Sequence, residues 1–156
     1  MNIRTLHSND RSHIHQILLG VGNFSPEEIT VALELIDEIL HQPQTTYLLR
    51  VLEDEGQVRG YVCYGPTPLT QGTYDLYWIA VDSHCHGKGY GQALMRAVEQ
   101  DVFSRGGRLL LIETSSQQTY EGTIRFYNRA GYELAGRIRN FYRPNDDKLI
   151  FSKEFR

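Results

Sequence analysis

Val81-Asp82-Ser83-His84-Cys85-His86-Gly87-Lys88-Gly89-Tyr90-Gly91 separates the most strand-like run of the chain from a helical one. Before it stands Thr73-Tyr74-Asp75-Leu76-Tyr77-Trp78-Ile79-Ala80, rich in aromatic residues; after it, Gln92-Ala93-Leu94-Met95-Arg96-Ala97-Val98-Glu99 contains neither glycine nor proline. A glycine-rich turn that opens a helix suits an anion. Helix-start amides lack partners inside the helix, and the macrodipole adds about half a positive charge there. Phosphate oxygens satisfy both.

The glycine spacing narrows the choice of anion. A Walker loop needs four residues between its glycines and then Lys-Ser or Lys-Thr, and a dinucleotide fingerprint reads G-x-G-x-x-G. Gly87-Lys88-Gly89-Tyr90-Gly91 fits neither, and an ATP loop would lack the metal-binding hydroxyl. Glycines at every second position let the main chain wrap a diphosphate, because no Cβ intrudes and positive φ is cheap.

His86-Gly87-Lys88-Gly89-Tyr90-Gly91 resembles the phosphate loop of the GNAT superfamily of acyl-CoA-dependent N-acyltransferases, Arg/Gln-x-x-Gly-x-Gly/Ala after a strand ending in Val. His86 departs from the first position. Phe126-Tyr127-Asn128-Arg129-Ala130-Gly131-Tyr132 is similar to the superfamily's second signature, a helix carrying a Tyr followed by a Gly-aromatic step into the next strand. Together the two signatures and the order of elements cover about residues 45 to 156. The resemblance implies acetyl-CoA as co-substrate, no metal, and a primary amine as acceptor. It also implies an α/β (or α+β) fold: a mixed, mostly antiparallel sheet of about seven strands with one central parallel pair and helices on both faces.

Acetyl transfer to an amine needs a held donor, a neutral amine, a stabilised oxyanion and a protonated leaving thiol. By the resemblance, backbone amides from Gly87 to Gly91 hold the diphosphate, with Lys88 as a nearby cation. His86 replaces a permanent or neutral donor by an imidazole, whose ordinary pKa is about 6.5, so donor affinity is expected to weaken as pH rises. The resemblance also implies that Ile79 and Val81 offer backbone to the pantetheine arm in a gap between the two parallel strands. Tyr127 matches the superfamily's general acid; a phenol of pKa about 10 beside a thiolate whose acid form titrates near 8.5 can protonate it or hydrogen-bond to it. Asn128 is a candidate contact to the same arm, although the superfamily commonly carries its Asn six residues before the Tyr, where Glu121 stands.

An alkylammonium of pKa about 10 must lose a proton before it attacks. Asp75 lies six residues before Val81, where many members carry a catalytic Glu, and Glu113 ends the neighbouring strand. Strand alternation puts Asp75, Tyr77, Ile79 and Val81 on one face if no bulge intervenes; Asp75 ranks above Glu113. Ser115 and Ser116 are candidates for a helix cap or a substrate contact. The second helix, Tyr74, Tyr77 and Phe141-Tyr142-Arg143 are expected to build the acceptor surface. His84-Cys85-His86 offers metal-binding atoms, but neighbouring loop residues rarely close a tetrahedron and no second pair stands at zinc spacing.

The rest of the 156 residues reads as one domain, 1–156, of ordinary globular composition, with 40% hydrophobic and 22% charged residues. A net charge of −3 argues against sequence-independent nucleic-acid binding. No apolar run approaches the roughly 20 residues needed to span a bilayer. Two cysteines, Cys63 and Cys85, make no disulfide framework, and the first residues lack an apolar signal region, so a reducing cytoplasm is expected. An isologous homodimer is the base-rate assembly.

In chain order, Ile3–Leu6 is a short strand and Asp10–Leu19 a helix. Ser25-Pro26-Glu27-Glu28 opens a second helix with a capping box, and Ile29, Leu33, Ile36 and Leu40 form its buried stripe. Tyr47–Leu52 and Gln57–Tyr64 form a hairpin. A helix over Gly89–Ser104 stops at Gly106-Gly107, and Leu109-Leu110-Leu111-Ile112 reads as a parallel strand buried on both faces. A helix from Tyr120 to Ala130 and strands Tyr132–Arg139 and Lys148–Lys153 complete the chain. The reading that results is an N-acetyltransferase working by direct attack of a small-molecule or peptide amine on acetyl-CoA. The competing one is an acyl-CoA-binding sensor without catalysis.

Overall fold

The computed structural model describes residues 1–156. Its elements are β1 (Asn2–Arg4), α1 (Asp10–Val21), α2 (Pro26–His41), β2 (Leu48–Asp54), β3 (Gln57–Pro66), β4 (Thr73–Val81), α3 (Tyr90–Ser104), β5 (Leu109–Ser115), α4 (Glu121–Arg129), β6 (Glu133–Arg143) and β7 (Asp146–Glu154). The seven strands form one sheet in the order β1-β2-β3-β4-β5-β7-β6, and only β4 and β5 run parallel. This is the mixed sheet with a central parallel pair that the sequence predicts.

Local chemistry explains the helices. Ser25 Oγ accepts from the Glu28 amide at 3.1 Å and Pro26 occupies the first turn of α2, which is the forward half of the expected capping box. Ile29, Ala32 and Ile36 form its buried stripe. Leu94, Met95, Val98 and Val102 do the same for α3. On one face of the sheet α3 and α4 pack on Val62, Leu76, Leu110, Ile112 and Phe151; on the other, α1 and α2 pack on Val51, Tyr61, Cys63 and Ala80. Each buried aliphatic side chain contributes about 1.5–3 kcal/mol.

Two strand expectations change. β5 is not buried on both faces: Leu110, Ile112 and Thr114 are buried, Leu109 and Leu111 are partly open, and Glu113 is exposed. The second core, under α1 and α2, is built on β2, β3 and β4 and takes no residue from β5. The alternation along β4 is also broken. Its register with β3 passes from Leu76 opposite Tyr64 to Trp78 opposite Cys63, which leaves Tyr77 as an extra residue. The bulge reverses the faces, so Asp75 lies on the α1/α2 side with Trp78 and Ala80, while Ile79 and Val81 join Leu76 on the α3/α4 side.

The bulge sits where the parallel pair ends. β4 and β5 are paired from Thr73–Leu109 to Leu76–Ile112 and no further. Beyond that point β4 keeps only β3 as a neighbour and β5 keeps only β7. A bulge bends and overtwists its strand, which parts the two here.

The first strand is held by a compact charge network. Arg4 Nη1 and Nη2 donate to the two oxygens of buried Asp10 at 2.8 and 3.0 Å, and Nη2 donates to Glu53 at 2.8 Å. Burial pushes the Asp10 carboxyl up, but the Arg4 guanidinium and the His7 amide outweigh it and hold the group below its ordinary value. A depressed carboxylate stabilises the fold above its unfolded pKa and ceases to do so as pH falls through the folded one. Arg4→Ala is therefore expected to lower the unfolding free energy by about 2–3 kcal/mol at neutral pH. The difference from wild type should be smaller at acid pH, as Asp10 protonates through its depressed pKa. Urea unfolding at the two pH values measures both.

Candidate active site

The loop between β4 and α3 is pinned at both ends and open between them. Cys85 and Tyr90 are buried in the core, whereas His86, Gly87, Lys88 and Gly89 are exposed. The Tyr90 hydroxyl donates to Asp54, so its ring anchors α3 and only its amide faces outward. Gly87 and Gly89 have φ of +82° and +79°, and a Cβ on either would meet nothing within 4 Å. Packing does not call for glycine there; backbone conformation and outside access do. Gly91 differs, since its Cβ would come within 3.3 Å of the Phe126 ring, and it lets α4 approach α3.

The amides of Gly87, Gly89, Tyr90 and Gly91 donate to no carbonyl or side chain of the protein, and the start of α3 has no side-chain cap. Several unpaired N–H groups at a helix N-terminus, unobstructed by any Cβ, fit the diphosphate of a coenzyme A. His86 follows the short 3-10 turn Ser83–Cys85 and stands exposed beside this cradle. His84 bonds Asp82 through Nδ1 at 3.0 Å while Cys85 turns into the core, so the His-Cys-His triplet does not converge.

Below the loop, the gap between β4 and β5 opens into a cavity of about 600 Å³. It passes through the sheet. Leu76, Ile79, Ile112, Thr114 and Tyr127 line it from the α3/α4 side; Phe24, Glu28, Asp75, Trp78 and Glu113 line it from the α1/α2 side. Val81 and Asn128 are not among its lining residues, and Asn128 is exposed on α4.

Tyr127 is 4% exposed, with its ring held against Phe126, Tyr132 and Phe151 at centroid distances of 5.6, 6.2 and 6.1 Å. Unlike the hydroxyls of Tyr64, Tyr90, Tyr120 and Tyr132, its hydroxyl makes no hydrogen bond within the chain, and Tyr127 lines the cavity. Burial raises its pKa, which keeps the phenol protonated. Thr114 Oγ1, also at the cavity, is fully buried with no partner.

The two candidate carboxylates differ in their surroundings. Glu113 is half exposed and paired with Lys148 at 3.0 Å. Asp75 accepts only from the Thr67 hydroxyl, at 2.6 Å, and has no ion pair. Burial and then the Asp75 charge push the neighbouring Tyr77 phenol up to about 12. Ser115 and Ser116 are structural: Ser115 donates to Asp146 and accepts from the Gln117 amide at 3.1 Å, and Ser116 accepts from the Asp147 amide at 2.8 Å. They tie β5 to β7.

Of the expected acceptor surface, α2, Tyr77, Tyr142 and Arg143 line the cavity; Tyr74 and Phe141 do not. Phe24, Trp78 and Tyr120 do, without having been singled out in the sequence. Phe24 meets Trp78 edge-on at 5.3 Å, and Tyr120 donates to the Asn23 carbonyl at 3.1 Å. A Gly-Asn-Phe break before a capped helix was the available signal for Phe24.

Residues 11–132, well over half the chain, match the acetyltransferase (GNAT) family. The chain belongs to that family. A crystal structure of a GNAT-family protein from Desulfovibrio desulfuricans shares 42% identity over 98% of each chain, with a TM-score of 0.94. This acetyltransferase is also similar to an uncharacterized N-acetyltransferase of Methanocaldococcus jannaschii, 23% identical over 86% of this chain and 90% of that one. An aminoglycoside 6'-N-acetyltransferase complexed with coenzyme A shares its fold, with a TM-score of 0.76, 17% identity and coverage of 99% and 97%. The GNAT acetyltransferase thus carries the glycine loop at the start of α3, and a cavity where the parallel strands part that Tyr127 lines. No helix in it is long and apolar enough to cross a membrane.

Proposed function

We propose that residues 1–156 act as a single domain that transfers the acetyl group of acetyl-CoA to a primary amine by direct attack, in a reducing cytoplasm. The observation that carries this reading is the unpaired Tyr127 hydroxyl in a cavity continuous with the gap between β4 and β5. The amides of Gly87 to Gly91 and the Lys88 charge hold the diphosphate, His86 borders it, and the unpaired edge of β4 at Ile79 and Val81 receives the pantetheine arm. Acetyl-CoA supplies the activated thioester; the protein supplies alignment and proton handling.

Asp75 is the better placed base because no cation competes for it, whereas Lys148 occupies Glu113. It takes one proton from the incoming ammonium, directly or through water. The amine nitrogen then bonds to the acyl carbon, the carbon–sulfur bond breaks, and the Tyr127 hydroxyl gives its proton to the sulfur. The second proton lost by nitrogen restores the phenol. No Ser-His-acid arrangement is present at the cavity, which agrees with transfer in one step rather than through an acylated side chain. Buried, unpaired Cys63 and Cys85 fit a reducing compartment.

Release of free thiol from acetyl-CoA across a panel of primary amines tests the function. Amine-dependent release is the expected result. Tight coenzyme A binding with no release for any amine would favour the sensor.

A further inference from the structure

The charges around the cavity are not evenly compensated. Glu113 pairs with Lys148 at 3.0 Å, and buried Asp146 has Arg143, which also lines the cavity, at 3.6 Å. Glu28 and Asp75 line the same cavity, and neither takes part in any ion pair of the protein. The chemistry of transfer needs one carboxylate, and Asp75 fills that place. Glu28 is then an anion without an assigned partner.

Glu28 is well placed to meet a ligand. It is half-buried in the first turn of α2, while the adjacent Glu27 is exposed and away from the cavity, so the helix dipole already has a solvent-facing acid. Aromatic residues line the same cavity. Tyr120 and Tyr142 are close enough that the Glu28 charge helps to raise both phenols, next after burial at Tyr120 and after burial, Glu113 and Asp146 at Tyr142, which leaves them neutral. Phe24 and Trp78 complete the wall. A carboxylate framed by neutral aromatic rings is the environment in which an ammonium is held by charge and by the rings together.

We propose that the acceptor is a small dication: besides the amine that reacts near Asp75, it carries a second fixed positive charge, and Glu28 is the residue that reads it. The proposal rests on the transfer reaction inferred above. It narrows the acceptor from any primary amine to diamines and small polycationic amines, and it makes Glu28 a specificity determinant on the side of the sheet opposite the phosphate loop.

The test uses linear α,ω-diamines, each paired with the monoamine of the same chain length, under saturating acetyl-CoA. At the best length the diamine is expected to show a Michaelis constant about tenfold below its monoamine, since an unscreened carboxylate in a partly desolvated site discriminates by at least that much. Raising the ionic strength should shrink the ratio. Glu28→Gln should bring the ratio close to one, while Glu27→Gln, which removes the same charge from the same helix turn but outside the cavity, should preserve it. Equal Michaelis constants for diamines and monoamines in wild type would overturn the proposal and leave the transfer reaction standing. So would a ratio that Glu28→Gln and Glu27→Gln lower alike, since the effect would then come from long-range charge. Acetyl-CoA binding without turnover of any amine would overturn the transfer reaction itself, and the proposal with it.

Discussion

Tyr127→Phe is expected to lower kcat for acetyl transfer about 100- to 1000-fold while leaving the acetyl-CoA Michaelis constant within about twofold. Phenylalanine keeps the ring contacts with Phe126, Tyr132 and Phe151, so the packing of α4 on the sheet is retained. What is lost is one hydroxyl at the cavity, and the leaving sulfur must then depart without a proton. Because the Tyr127 hydroxyl, unlike those of Tyr64, Tyr90, Tyr120 and Tyr132, has no partner in the protein, its removal should not lower the melting temperature. Burial holds the phenol protonated well into the alkaline range, so the wild-type kcat profile should show no loss from its ionisation up to pH about 9. Steady-state kinetics and a thermal melt on the same preparation measure all of this. A near-normal kcat in a stable Tyr127→Phe would reduce the residue to an aromatic spacer.

Gly89→Val should act on the other half of the reaction, raising the acetyl-CoA dissociation constant about 100-fold. At φ +79° any side chain costs about 1–2 kcal/mol, and a β-branched one costs more. Relief of that strain would swing the amides of Gly89 and Tyr90 away from their common focus. The added Cβ and methyl groups would also fill the open space from which a phosphate must approach. Gly107→Ala is the contrasting control: its Cβ would sit 2.7 Å from the Val102 carbonyl, so it should lower the melting temperature without selectively affecting affinity for the donor. Calorimetric titration with acetyl-CoA separates the two. Unchanged affinity in Gly89→Val would mean that the loop does not hold the diphosphate.

The parts of this site visible in the amino-acid order are those determined by neighbours in the chain. A glycine cluster between strand and helix, Ser25-Pro26 at the start of α2 and the Tyr127-to-Tyr132 signature are local patterns, and each lies where its chemistry implies. The bulge at Tyr77 is different. Nothing in Leu76-Tyr77-Trp78 marks which residue is supernumerary, because that depends on how β4 meets β3. That one residue moves Asp75 off the face of Ile79 and Val81, which unbroken alternation would give it. Motif position alone puts Asp75 ahead of Glu113 as a candidate base; that Lys148 stands beside Glu113 depends on β5 pairing with β7 across a long sequence separation. Phe24, Trp78 and Tyr120 became neighbours for the same kind of reason. The orphan Thr114 hydroxyl could not be foreseen at all, since a missing partner is a property of the finished fold.

The gap that the parted strands leave is lined by residues from both faces of the sheet. Under the proposed reaction, donor and acceptor would each meet a different face, and the acetyl group would pass between them without being parked on a side chain. The two rims are also free to drift separately. Under that reading, exchanges at Phe24, Glu28 or Tyr120 would change which molecule is accepted while the loop proposed to grip the shared donor stays as it is.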